Sequence, residues 1–144
     1  MGRPRVWVPF FFLFLLLFCG VGAAQKVAIT FDDLPLNGDL PAGVTRVEIA
    51  RETLTVLKKR HVPAVYGFVN ARKLEGNADA AEALKLWAAA EPVGNHTYAH
   101  MDLNQNPADA FEREIEQNEP VLELVAAKDA NWHLSLIHIS EPRD

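Results

Sequence analysis

The chain is poor in cysteine: one residue, Cys19, in 144. No disulfide can form within it, so no cross-link compensates for a small core. Basic charge is also scarce, with 14 Lys and Arg against 19 Asp and Glu. A nucleic-acid-binding surface needs clustered positive charge, so this balance argues against DNA or RNA as a partner. Long apolar runs are missing too, apart from one at the start. "MGRPR" has two arginines and no acid, "VWVPFFFLFLLLF" is continuously apolar, and "CGVGAA" is small. Basic, apolar and small in that order describes a secretory signal peptide over residues 1–24, cleaved near Ala23 or Ala24. The competing reading is an uncleaved anchor, since the apolar stretch runs on to Ala24. Phe18 stands before Cys19 where a lipoprotein signal wants a small residue. Removing the leader takes away Arg3, Arg5 and Cys19, and leaves 12 basic and 19 acidic residues, a net charge near −7. The expected location is secreted or periplasmic, with no stable membrane insertion after cleavage.

What remains alternates between two periodicities. "KVAIT" (26–30) is short, apolar and β-branched, and reads as a buried strand ending at Phe31-Asp32-Asp33. A loop rich in Pro, Gly and Asn follows. Val47, Ala50, Leu54 and Leu57 recur at helical spacing; Thr45 with Glu48 is a capping-box signal, and Lys58, Lys59 and Arg60 fit the last turn. "AVYGFVN" (64–70) is a second strand, 79–90 a second helix with Ala83, Leu84 and Trp87 on one face, and "EPVGNHT" a short third strand. Residues 107–127 form a third helix, with Phe111, Ile115, Leu122 and Val125 in phase and Pro120 expected to kink or interrupt it. A fourth strand would begin at Asn131-Trp132. Strand–helix alternation of this kind predicts a parallel sheet, in an α/β barrel or an open doubly wound sheet.

In either architecture the carboxyl ends of the strands share one rim, where sites are built. Asp32 and Asp33 end the first strand; His96 and His100 lie at or past the end of the third. Alone, an Asp pair is a common turn device, and His-x-x-x-His is a weak signal that would put both rings on one side of a helical turn. Together at one rim they suggest an Asp-His-His metal site with an open position for water, as hydrolytic zinc centres have. The spare carboxylate would serve as general base. His61 at a helix end reads as a solvated partner of the helix dipole, His133 beside Trp132 as structural, and Trp87 and Phe111 as core. Asn95-His96-Thr97 matches a glycosylation sequon only by coincidence.

"TFDD" followed by "HTYAH" resembles the first two motifs of the polysaccharide deacetylase family, the NodB-homology domain of carbohydrate esterase family four. The resemblance covers residues 26–132. It implies the N-terminal part of a distorted (β/α) barrel with parallel strands. It also implies Asp32 as catalytic base, and Asp33, His96 and His100 as ligands of a divalent metal, zinc by default. Thr97 would brace the loop, and Tyr98 could line a substrate groove. The substrate class implied is an acetylated glycan. Leu34 and Pro35 stand where the family has glycine after the Asp pair, so the loop and substrate access are expected to differ. The family's third motif, an Arg-x-Pro stretch, and its late Leu-x-His motif have no match in context: Arg143 lacks the surrounding pattern and His138 sits in "SLIHISEP". The expected organisation is therefore a leader (1–24), the first part of a NodB-like domain (25–134) and an extraneous tail (135–144), inactive as written. Two alternatives remain open: an amide hydrolase acting on a small non-sugar substrate, and a non-catalytic carbohydrate-binding or structural half-domain.

Expressed in a bacterial host, the chain should be processed near Ala23 or Ala24. N-terminal sequencing of exported product that still begins at Met1 would favour the anchor.

Overall fold

The computed structural model describes residues 27–126. The leader at 1–24, the fourth strand expected at Asn131-Trp132, His133 and the tail at 135–144 lie outside them. Three strands, β1 (Thr30–Leu34), β2 (Tyr66–Val69) and β3 (Val93–Asn95), pair in parallel in that order. Three helices lie between and after them: α1 (Arg46–Lys59), α2 (Ala78–Ala88) and α3 (Ala108–Val125). Short 3-10 turns follow β2 (Ala71–Leu74) and precede α3 (Leu103–Gln105). This is an α/β fold with an open parallel sheet, consistent with part of a (β/α) barrel.

The alternation along β2 decides which face does what. Val65 and Val69 join Leu34, Leu57, Leu84, Trp87, Val93 and Leu122 in the core under the helices. Successive side chains of a strand point to opposite faces, so Tyr66, Phe68 and Asn70 point the other way. Gly67 is needed on the helix side: a Cβ there would lie 2.2 Å from Leu34 Cδ1 and 2.5 Å from Trp87 Nε1. No rotamer change at the glycine itself relieves such a clash.

The capping box forms as the sequence predicts, with the Thr45 side chain accepting from Glu48 N at 3.1 Å and Thr45 N donating to Glu48 Oε2 at 2.8 Å. A second carboxylate joins it. Asp79, at the start of α2, accepts from Arg46 N at 2.8 Å and Val47 N at 3.3 Å. One helix thereby caps another 32 or more residues away in sequence, which fixes how α1 and α2 lie together.

Two expectations need correction. The first strand is displaced toward the aspartates and is not buried: Val27 is 83% exposed and Ile29 50%. β1 is an edge of the described sheet, and its pairing with β2 begins only at Thr30↔Tyr66; just before it, Val65 N donates to Glu91 Oε2 at 2.9 Å. Pro120 does not interrupt α3, which runs through it for 18 residues. The proline forfeits one backbone bond, but Leu122 beyond it is fully buried and Val121 and Val125 pack on the core, so tertiary contacts hold the last turn.

Helix α1 ends in a left-handed residue that is not glycine. His61 has φ 53° and is exposed. His61 N donates to Lys58 O at 3.2 Å and Val62 N to Leu57 O at 3.0 Å, the paired bonds of a Schellman motif, with Val62 packed on the cluster that holds Leu57. A side chain in this region costs energy that glycine avoids. His61→Gly should raise stability by about 0.5–1 kcal/mol, read as a higher midpoint in urea denaturation; an unchanged or lower midpoint would show that the imidazole compensates for its backbone.

Candidate metal centre

The carboxylates reach the rim through an irregularity in β1. Phe31 pairs with Gly67 and Leu34 with Val69, so three steps on β1 match two on β2. The extra residue is a bulge, a device that turns side chains off the regular alternation. Asp33 takes the strain, with φ 64°. Leu34 is the core residue of the turn, 6% exposed and lying against the Gly67 position. The left-handed conformation thus falls on Asp33, one residue before the family's glycine position. At this position the Leu34 side chain fills the core.

The imidazoles arrive on a loop, not on the helical turn that their spacing suggested. His96 follows β3 directly, Thr97 has φ 66° and His100 φ 60°. Three of the four non-glycine residues with positive φ among those described therefore lie in the two motifs. Left-handed backbone at a β-branched residue such as Thr97 persists only where the surroundings over-determine it, and here they do. Asn70 Nδ2 donates to His96 O at 2.6 Å and Thr97 O at 3.0 Å. Thr97 N donates to Asn95 Oδ1 at 2.9 Å, and His96 N to Val69 O at 3.1 Å. From α3, Glu114 accepts from Ala99 N through its carboxylate at 2.6 Å and from Tyr98 N through its carbonyl at 2.9 Å.

These contacts bring Asp33, His96 and His100 together, each offering a ligand atom within 4.8 Å of the others. Asp33 Oδ1 stands 3.9 Å from His96 Nε2 and 3.7 Å from His100 Nε2. The two rings meet edge-on, with centroids 4.8 Å apart. His96 is buried at 3% exposure and packs beside Phe68, while His100 is half exposed. A tetrahedral ion with bonds of about 2.0–2.2 Å holds its ligands about 3.4 Å apart. The Asp33–histidine distances need to close by only a few tenths of an ångström, while the set as a whole, spread over as much as 4.8 Å, would draw in by up to about 1.4 Å around a divalent ion; two nitrogens with one oxygen suit zinc chemistry. Asp32, the adjacent carboxylate, is half-buried in β1, with Oδ1 shielded from solvent.

Lys73, Glu114 and Asn118 had no reading as site residues in the sequence. Lys73, in a stretch that reads only as a turn, donates to Asp33 O at 2.9 Å and pairs with its Oδ1 at 3.2 Å. Burial pushes the Lys73 ammonium below its ordinary range, against the pull of Asp33. Glu114 and Asn118 lie among Phe111 and Leu122 on the buried side of α3. Polar residues inside an apolar stripe were the available signal. Tyr98 donates its hydroxyl to Glu75, which pushes the phenol above its ordinary range, and its carbonyl accepts from Arg72 N at 3.1 Å. It clasps the loop to the turn after β2. Asn95 is 3% exposed and donates to Ile115 O, so its amide is not presented for glycosylation.

The chain belongs to the polysaccharide deacetylase family, whose model matches residues 20–135. Among solved structures it is similar to the Bc1960 peptidoglycan N-acetylglucosamine deacetylase in complex with 4-naphthalen-1-yl-N-oxidanyl-benzamide. The identity there is 28% and the TM-score 0.53, over 71% of this chain and 42% of that one. A family 4 carbohydrate esterase from Bacillus anthracis shares its fold at 18% identity and TM-score 0.52, over 72% of this chain and 44% of that one. The T48 deacetylase with substrate does so at 23% and 0.50, over 71% and 44%. The chain thus spans less than half the length of each. No curated protein matches it.

Asn118 ties these pieces together, accepting from Ala71 N at 2.7 Å and donating to Val69 O at 2.7 Å and Asn95 Oδ1 at 2.9 Å. Asn118→Leu keeps the volume but leaves the buried Ala71 amide unpaired, and should cost about 2–3 kcal/mol. An unaltered urea midpoint would show that the network is dispensable.

Proposed function

We propose that this chain carries the metal-binding and base-bearing part of a deacetylase that removes acetyl groups from a glycan. The observation that carries the reading is the convergence of Asp33, His96 and His100 in a chain of the polysaccharide deacetylase family. Asp33 through Oδ1 and both histidines through Nε2 would hold one divalent ion, zinc by default. Such an ion, when bound, supplies Lewis acidity toward an acyl oxygen and toward water. Asp32 acts as the general base, its carboxylate taking a proton from the attacking water. The buried His96 and the half-exposed His100 leave the centre open on the His100 side, where a substrate acyl group would enter. The neighbour named for peptidoglycan N-acetylglucosamine supports an N-acetylated amino sugar as the first substrate class to test. The leader pattern supports action outside the cytoplasm, in the periplasm or the medium. Among the described residues no helix is long and apolar enough to cross a membrane.

The arginine and histidine expected from the family's later motifs have no counterpart in context. In the family that arginine orients the base, and small misplacements of a base are costly in rate. An oxyanion donor contributes roughly 3–4 kcal/mol and a general acid a further 10²–10⁴-fold, about the range such groups supply. The 144-residue chain should therefore not turn over.

Asp33→Ala and His100→Ala should each abolish stoichiometric zinc binding, measured by elemental analysis after dialysis. Equal metal content in wild type and the double variant would remove the site. Acetate release from acetylated chito-oligosaccharides, xylan and peptidoglycan should be absent for the chain as it stands and present once it is extended with its natural downstream sequence. Comparable turnover by both would show that the described part is self-sufficient.

A further inference from the structure

Lys73 closes the 3-10 turn after β2, and its ammonium touches Asp33 twice: the carbonyl oxygen at 2.9 Å and Oδ1 at 3.2 Å. Oδ1 is also the oxygen that faces His96 Nε2 and His100 Nε2. Both partners are partly shielded, with side-chain exposures of 27% for Lys73 and 20% for Asp33. We propose that Lys73 is a tuning and positioning residue of this centre: its charge lowers the affinity for a divalent cation, while its bond to the Asp33 carbonyl fixes the pose of the ligand. The inference rests on reading Asp33, His96 and His100 as metal ligands.

Lys73 acts on Asp33 both through its charge and as a mechanical support. An ammonium bonded to a carboxylate oxygen repels any second cation drawn to that same oxygen, and partial burial weakens the screening that water would provide. A carboxylate shared in this way also donates less charge to an ion, so an ion is held more loosely and stays a stronger Lewis acid. Asp33 sits in left-handed backbone at φ 64°, a conformation that needs external support. The Lys73–carbonyl bond supplies it from a turn that is itself anchored, since Lys73 N donates to Asn70 O at 3.2 Å and Ala71 N to Asn118 Oδ1 at 2.7 Å. Three changes separate charge from support. Lys73→Met removes both, Lys73→Gln removes the charge but keeps a donor for the carbonyl, and Lys73→Arg keeps both.

The test is zinc and cobalt(II) affinity by chelator competition on the full chain, at low and high salt, with the visible absorption of bound cobalt as a signature of ligand geometry. Lys73→Gln should bind zinc about tenfold more tightly than wild type at low salt, and Lys73→Met, which also loses the bond to the Asp33 carbonyl, should gain less and shift the cobalt spectrum. The gap should shrink at high salt as the charge is screened. Lys73→Arg should keep wild-type affinity and the wild-type cobalt spectrum, and the tightening in Lys73→Gln is what a merely structural role would not produce. The Gln and Arg variants retain a donor to Asp33, so they report even if Lys73→Met does not fold. Wild type that binds zinc, with Lys73→Gln binding equally or more weakly, would overturn the role of Lys73 and leave the metal centre standing. Failure of wild type and every Lys73 variant to bind would remove the metal centre itself, and this inference with it.

Discussion

Asn118 is fully buried on α3 and makes hydrogen bonds to three places at once: the strand end at Val69, the turn at Ala71 and the side chain of Asn95. Each leads to a loop that carries candidate metal ligands. Val69 O also accepts from His96 N, Asn95 Oδ1 from Thr97 N, and the Ala71 turn carries Lys73 to Asp33. A buried amide satisfied on both its oxygen and its nitrogen rigidifies what it joins. Here it joins β2, β3 and the turn between them, from a helix about fifty residues later in the chain. The placement of the two motifs relative to each other therefore depends on a residue in neither.

The same rigidity allows unfavourable backbone where the chemistry needs it. Asp33, Thr97 and His100 all have positive φ without being glycine. Each such residue costs on the order of 1–3 kcal/mol, so a loose loop would relax out of them. The network of Asn70, Asn95, Glu114 and Asn118 prevents this by giving every amide and carbonyl along residues 96–99 that it reaches a fixed partner. The ion-pairing Lys73 does the same on the β1 side. A polar core of this kind gains little net stability, but it excludes alternative loop conformations, because any of them would leave a buried group unpaired.

The elements whose signals are local were legible in the sequence. The capping box at Thr45 and Glu48, the apolar stripes of the three helices and the three short strands appear near where the pattern places them. The parallel order followed from the alternation alone. Displacement of β1 was not legible, because where an edge strand starts depends on where its neighbour begins. Nor was the continuity of α3 through Pro120, which rests on burial of Leu122 rather than on propensity.

For the site, the sequence by itself determined the ligand chemistry: which carboxylates and imidazoles are present, and that parallel strands deliver them to one rim. That follows because residue type and strand order are properties of the chain read in one direction. The tertiary structure alone decided how they meet. The bulge at Asp33, the left-handed loop that replaces a helical turn between His96 and His100, and the contacts of Lys73 and Asn118 all arise from partners 20 to 50 residues apart. Hydrogen bonds over such separations are set by how the elements pack, and no local pattern in the sequence encodes them.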